Sequence, residues 1–120
     1  MLPDLLYPEF LLRFGISLVM IVFGIHQLMQ PRDWLEYLPA WLKKFDPLSP
    51  ITTMRLHGVG NVVLGFWFFT NILPIIAGWV VFGWWLSILP FAFRKNWAIG
   101  MRDLTIIFAI AAYLSFIYLS

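Results

Sequence analysis

The sequence predicts an all-α membrane protein, an antiparallel bundle of four transmembrane helices with a bent interfacial amphipathic segment between helices 1 and 2. Three observations lead there. The 120 residues are 62% hydrophobic and only 12% charged, where a soluble domain carries roughly a quarter charged residues. A soluble fold this short would bury only about two-thirds of the surface its unfolded chain exposes, leaving surplus apolar side chains in water. Finally, four runs approach the roughly 20 apolar residues needed to cross a hydrocarbon core of about 30 Å. These runs are continuous rather than alternating, which excludes strands, and a sheet edge in lipid would leave backbone groups unpaired.

The first span covers residues 10–29, with Arg13 near its start and His26 near its end. It reads as retained rather than cleaved: acidic Asp4 and Glu9 precede it where a signal peptide is basic, and Pro31 and Arg32 follow where a cleavage site has small residues. Glu9 lies one helical turn before Arg13, the favourable order for an i, i+4 pair. The interfacial segment covers residues 31–46. Trp34, Leu35, Leu38, Trp41, Leu42 and Phe45 recur there at helical spacing, while Arg32, Asp33, Glu36, Lys43, Lys44 and Asp46 fall mostly elsewhere on the wheel. Pro39 bends the segment and Pro47 and Pro50 end it. Its expected place is the membrane surface, with tryptophans at headgroup depth; the alternative is a lid over a binding pocket.

The second span covers residues 55–73 and the third residues 74–93, joined by a tight turn that makes them neighbours and puts Pro74 in the first turn of the third. Pro90 is expected to loosen the last turn of that span, and Arg94, Lys95 and Asn96 to mark its exit from lipid. The fourth span covers residues 101–119. Counting loops alternately, one side of the membrane carries only Arg13, and the other carries Arg32, Lys43, Lys44, Arg55, Arg94, Lys95 and Arg102. The imbalance places the 1–2 and 3–4 loops in the cytoplasm and both termini outside.

Composition also removes whole classes of function. Without cysteine there are no disulfides, thiolate metal sites or c-type haem attachment. A net charge of +2 with scattered bases gives no nucleic-acid footprint. No Ser-His-Asp set or carboxylate pair is visible, and Gly58-Val59-Gly60 lacks the strand–turn–helix setting of a phosphate loop. Those glycines, with Gly65, Gly78, Gly83, Ala109, Ala112 and Ser115, read as helix-packing positions.

Polar groups gather in one predicted layer. His26 and Gln27 close the first span, Arg55, His57 and Asn61 open the second, and Arg102 and Asp103 open the fourth. Thr53, His57 and Asn61 share one helical face by their i, i+4, i+8 spacing. Asp103 is expected near a helix N-terminus, paired with a basic neighbour. An ionisable group in a span needs a partner. The layer is therefore either a self-satisfied registry network or the polar end of a pocket for an amphipathic ligand such as a quinone, with its tail among Phe66, Trp67, Phe82, Trp84 and Trp85. Neither histidine has a second ligand at i+3 or i+4, which argues against haem and metal.

The order of these segments resembles the DoxX family of small four-span membrane proteins, which includes DoxD-like subunits of thiosulfate:quinone oxidoreductase. The likeness rests on Leu12-Arg13, Phe23-Gly24-Ile25-His26-Gln27, Pro31-Arg32-Asp33-Trp34, Tyr37-Leu38-Pro39-Ala40-Trp41, the stretch from Gly58 to Gly65, and Arg102-Asp103-Leu104, which together span nearly the whole chain. Two positions depart from it: Asn61 stands where the family usually has glutamate, and Gln27 where a basic residue is common. Asn61 can hydrogen-bond but cannot titrate.

The resemblance implies a quinone-binding or redox-associated subunit of a prokaryotic cell membrane, acting beside a soluble or membrane redox partner. The competing expectation is a non-catalytic scaffold or assembly partner for other membrane proteins, and self-association of so aromatic a surface is a further alternative. Solute transport is weakest, because the chain lacks a continuous polar path and an internal repeat.

Overall fold

The computed structural model describes residues 7–37 and 49–119. Four long helices hold nearly all of them: α1 (Pro8–Met29), α2 (Pro50–Thr70), α3 (Pro74–Lys95) and α4 (Trp97–Leu119). A short 3₁₀ segment, Pro31–Tyr37, follows α1 and is called the strap below. At 1.5 Å per residue the 22 residues of α1 are about 33 Å long. The molecule is an elongated bundle of 49 × 25 × 22 Å.

Local sequence sets the helix ends. Proline occupies the first turn of α1, α2 and α3, where its missing N–H is not needed. Ser49 caps α2 by accepting from the Thr52 backbone N–H at 3.2 Å. The turn between α2 and α3 uses Asn71 and Leu73 in the left-handed region, at φ 63° and 51°. There Trp67 Nε1 donates to the Ile72 carbonyl at 2.9 Å. A single residue, Asn96, joins α3 to α4. Its backbone N–H bonds the Ala92 carbonyl at 3.1 Å, while its side chain accepts from Ala98 N at 2.7 Å, so one asparagine ends one helix and caps the next.

Several sequence expectations shift accordingly. The second helix begins at Pro50 rather than residue 55, because Ser49 and Pro50 form its start, and it ends at Thr70 rather than residue 73. The fourth begins at Trp97 rather than residue 101, because Asn96 supplies a cap that hydropathy does not reveal. The third runs unbroken through Pro90 to Lys95. The interfacial segment is 3₁₀ rather than α-helical over residues 31–37; its expected continuation, from Leu38 through Asp46, lies outside the described residues.

Among the described residues, three helices are long and apolar enough to cross a membrane: Pro8–Met29, Pro74–Lys95 and Trp97–Tyr118. By the same measure α2 falls short, although it is 21 residues long, since its first turns carry Thr52, Thr53, Arg55, His57 and Asn61. Packing is heaviest within two antiparallel hairpins, α1 with α2 and α3 with α4, and α1 also meets α4. The second and third helices do touch, but more lightly than their short connection suggests. Side-chain size explains the difference. A Cβ on Gly24 would lie 2.7 Å from the Gly58 carbonyl oxygen, and one on Gly58 would lie 2.8 Å from that of Gly24, so α1 and α2 pack backbone to backbone. Between α2 and α3 stands the indole of Trp84, whose edge fills the space over Gly60.

The core joins the hairpins through Met20, Phe68, Val81, Ile110 and Tyr113. The Phe68 and Tyr113 rings lie 4.7 Å apart. Large apolar side chains also cover the outside: Val63, Phe66 and Phe108 are 59%, 55% and 69% exposed. Such a surface suits acyl chains and not water.

Candidate ligand-binding site

At the end of the bundle where α1 finishes and α4 begins, all four helices and the strap enclose a half-open cavity of about 230 Å³. Thr53, His57 and Asn61 all reach it from α2, as their i, i+4, i+8 spacing requires. Gln27 faces them from α1, and Arg102 and Asp103 enter from α4.

Four amide and ring groups form a one-way relay. Trp84 Nε1 donates to Asn61 Oδ1 at 2.8 Å, Asn61 Nδ2 donates to Gln27 Oε1 at 2.6 Å, and Gln27 Nε2 meets His57 Nδ1 at 3.0 Å. Because Gln27 Oε1 already accepts, its NH₂ donates and His57 Nδ1 accepts. A neutral His57 ring therefore carries its proton on Nε2. Trp84 also stacks on that ring, with centroids 4.7 Å apart and planes 20° apart. Gln27 and Asn61 are buried, so the relay fixes their orientation as well as satisfying them.

The charged pair is separate. Asp103 is 2% exposed and accepts from Arg102 Nε at 3.0 Å, and the Arg102 guanidinium lies 5.0 Å from the centre of the Phe23 ring. A carboxylate this buried requires such a partner. Asp103 does not lie at the helix N-terminus as expected, because α4 starts at Trp97, about one turn earlier than hydropathy suggests.

Apolar groups complete the cavity: Met54 from α2, Trp85, Ile88 and Phe91 from α3, and Phe23 from α1. Of the five aromatics expected around a ligand tail, Trp85 alone lines it. Phe66 points outward at 55% exposure, and Trp84 is engaged in the relay. The strap closes one side with Trp34 and Tyr37. Trp34 Nε1 donates to His26 Nδ1 at 2.8 Å, Glu36 meets Lys95 Nζ at 3.4 Å, and that ammonium sits 4.6 Å from the Tyr37 ring centre.

Five of the seven residues singled out from sequence thus meet at one cavity: Gln27, His57, Asn61, Arg102 and Asp103. The other two do not. His26 lies outside it, exposed and bound to the strap through Trp34, with Asp33 at 3.8 Å, because it sits one residue round the α1 helix from Gln27. Arg55 points from the outer side of α2 into a different cleft with Arg32. Sequence reasoning missed Met54, Phe91 and Ile88, which carry no signal beyond hydrophobicity.

No family model matches the chain, and no curated protein or solved structure matches it significantly.

Proposed function

We propose that the chain is a four-span membrane protein of DoxX type whose cavity binds a quinone headgroup, and that it acts as a redox-associated membrane subunit. The supporting observation is the chemistry of the cavity wall. The Nε2 proton assigned to His57 and the guanidinium of Arg102 are donors suited to a quinone carbonyl, and Trp85, Ile88 and Phe91 supply an apolar wall for its ring. The cavity is half-open, which leaves an isoprenoid tail a way out of it.

The fourth span in this reading is α2. Its low hydropathy comes largely from groups turned inward, such as buried Asn61 and the His57 of the relay, while Val59, Val63 and Phe66 face out. Its outer surface is therefore more lipid-compatible than its average composition. The ends bearing Arg32, Arg55, Arg94, Lys95 and Arg102 lie in the cytoplasm by the positive-inside rule, and both termini lie outside, in a prokaryotic cell membrane.

Decylubiquinone titrated into the detergent-solubilised full chain, followed by tryptophan fluorescence, tests this reading. Wild type is expected to bind saturably. His57→Ala and Asn61→Leu each remove or release one buried polar partner and are expected to weaken binding about tenfold. Unchanged affinity in both variants rejects the site.

A further inference from the structure

The molecule has a second concavity at the same end, outside the cavity above. Met29, Gln30 and Pro31 from the end of α1 and its exit face Ile51 and Arg55 from the first turns of α2, and Arg32 of the strap completes a cleft of about 230 Å³. Its character is opposite to that of the first: two guanidinium groups and an amide side chain meet beside a few apolar groups.

The other charged contacts isolate these two arginines. Arg13 is paired with Glu9 at 2.8 Å, Arg102 with Asp103 at 3.0 Å and Lys95 with Glu36 at 3.4 Å. Asp33, next in sequence to Arg32, turns toward His26 at 3.8 Å. Among the described residues no ion pair engages Arg32 or Arg55. Two cations 23 positions apart in sequence, on different elements, are thus brought to one cleft, and none of the described residues that line it is a carboxylate. An anion in the cleft would be within the field of both cations, and the fork of each guanidinium matches phosphate oxygens. The cleft lies between the C-terminal end of α1 and the first turns of α2, whose opposite helix dipoles offset one another, so its positive field comes from the two guanidinium groups.

We propose that the Arg32–Arg55 cleft binds a phosphate group. Met29, 73% exposed, and half-buried Ile51 form an apolar rim beside the two arginines, which suits a phosphate that carries an acyl-glycerol tail. The phosphate chemistry stands without the quinone reading. Only the lipid source of the phosphate requires that the bundle span a membrane.

Native mass spectrometry of the full chain in neutral detergent tests the proposal, with phosphatidylglycerol, phosphatidylcholine and glycerol 1-phosphate as probes. Wild type is expected to retain phosphatidylglycerol over phosphatidylcholine. Arg32→Gln and Arg55→Gln are each expected to lower that retention about fivefold, the effect of one cation near an anionic headgroup. Arg55→Lys keeps the charge and is expected to keep most of the retention. Exposed Arg94 lies at the same end but outside the cleft, so Arg94→Gln is expected to change nothing. Glycerol 1-phosphate binding that depends on both arginines, without preference for phosphatidylglycerol, supports the site and assigns it a soluble phosphate. Retention insensitive to both cleft substitutions, or equally sensitive to Arg94→Gln, overturns the proposal. None of these substitutions is at a residue that lines the first cavity, so decylubiquinone affinity reports separately on that site.

Discussion

Asn61 and Gln27, 34 residues apart, share a buried hydrogen bond of 2.6 Å that ties α2 to α1 beside the cavity. In the proposed DoxX reading they are also positions at which the chain would depart from the family pattern, glutamate at the first and often a base at the second. By that resemblance, a neutral amide pair stands where an acid and a base would meet. Asn61→Glu alone would place an unpaired carboxylate at a site only 4% exposed, and is expected to destabilise the protein by about 3–5 kcal/mol. Adding Gln27→Arg supplies the partner and is expected to recover much of that loss. Thermal unfolding of wild type, both single variants and the double variant forms a double-mutant cycle. Additive changes would show that the two positions are not coupled.

Gly24 and Gly58 predict a steep packing response. A methyl at either position meets a backbone oxygen of the other helix at under 3 Å, and backbone cannot swing aside as a side chain can. Gly24→Ala or Gly58→Ala is expected to lower stability by about 1–3 kcal/mol. Gly15 and Gly83 lie on the same kinds of helix, but an added Cβ there meets nothing within 4 Å. Alanine at those two sites should be neutral or gain up to about 1 kcal/mol from helix propensity. Unfolding midpoints of the four variants decide the matter, and equal losses at all four would refute the crossing.

How much of this was legible in the sequence depended on whether a residue's role is periodic or contextual. The face shared by Thr53, His57 and Asn61 follows from helical spacing, and so does the Glu9–Arg13 pair, seen at 2.8 Å. The second bond of Arg13, from its guanidinium to the Phe69 carbonyl, joins residues 56 apart and has no local signal. His26 and Gln27 show the limit most clearly. They are adjacent in sequence and equally polar, yet a step of about 100° along the helix sends one to the strap and the other to the relay. Boundaries were misplaced where caps, not hydropathy, set them, as at Ser49 and Asn96.

Leu73 gives a stability prediction independent of the site. It is 59% exposed and holds φ 51°, ψ 59°, a conformation in which its Cβ crowds the backbone at a penalty of about 1–2 kcal/mol. Glycine relieves that crowding, and asparagine tolerates the region better than leucine. Leu73→Gly and Leu73→Asn are therefore expected to raise the unfolding midpoint, glycine's gain being reduced by the extra entropy of its unfolded chain. The asparagine variant separates the two effects, and a lower midpoint in both would contradict the left-handed turn.

The strap supplies the last prediction, concerning exchange at the cavity. Its shortest polar contacts with the helices are Trp34 to His26 at 2.8 Å, and Glu36 to Lys95 at 3.4 Å. They are unequal. Glu36 is 76% exposed, so its ion pair is screened and contributes well under 1 kcal/mol. The Trp34 hydrogen bond contributes about 1 kcal/mol. Trp34→Phe removes that donor while keeping an aromatic ring against Phe23 and Tyr37, whose centroids lie 5.7 and 5.3 Å from the indole. Decylubiquinone release, followed by stopped-flow fluorescence, is expected to speed up about fivefold in Trp34→Phe. Glu36→Gln is expected to change it less than twofold. Equal effects of the two substitutions would mean that the ion pair holds the strap as firmly as the hydrogen bond, and no effect of either would mean that ligand leaves without moving it.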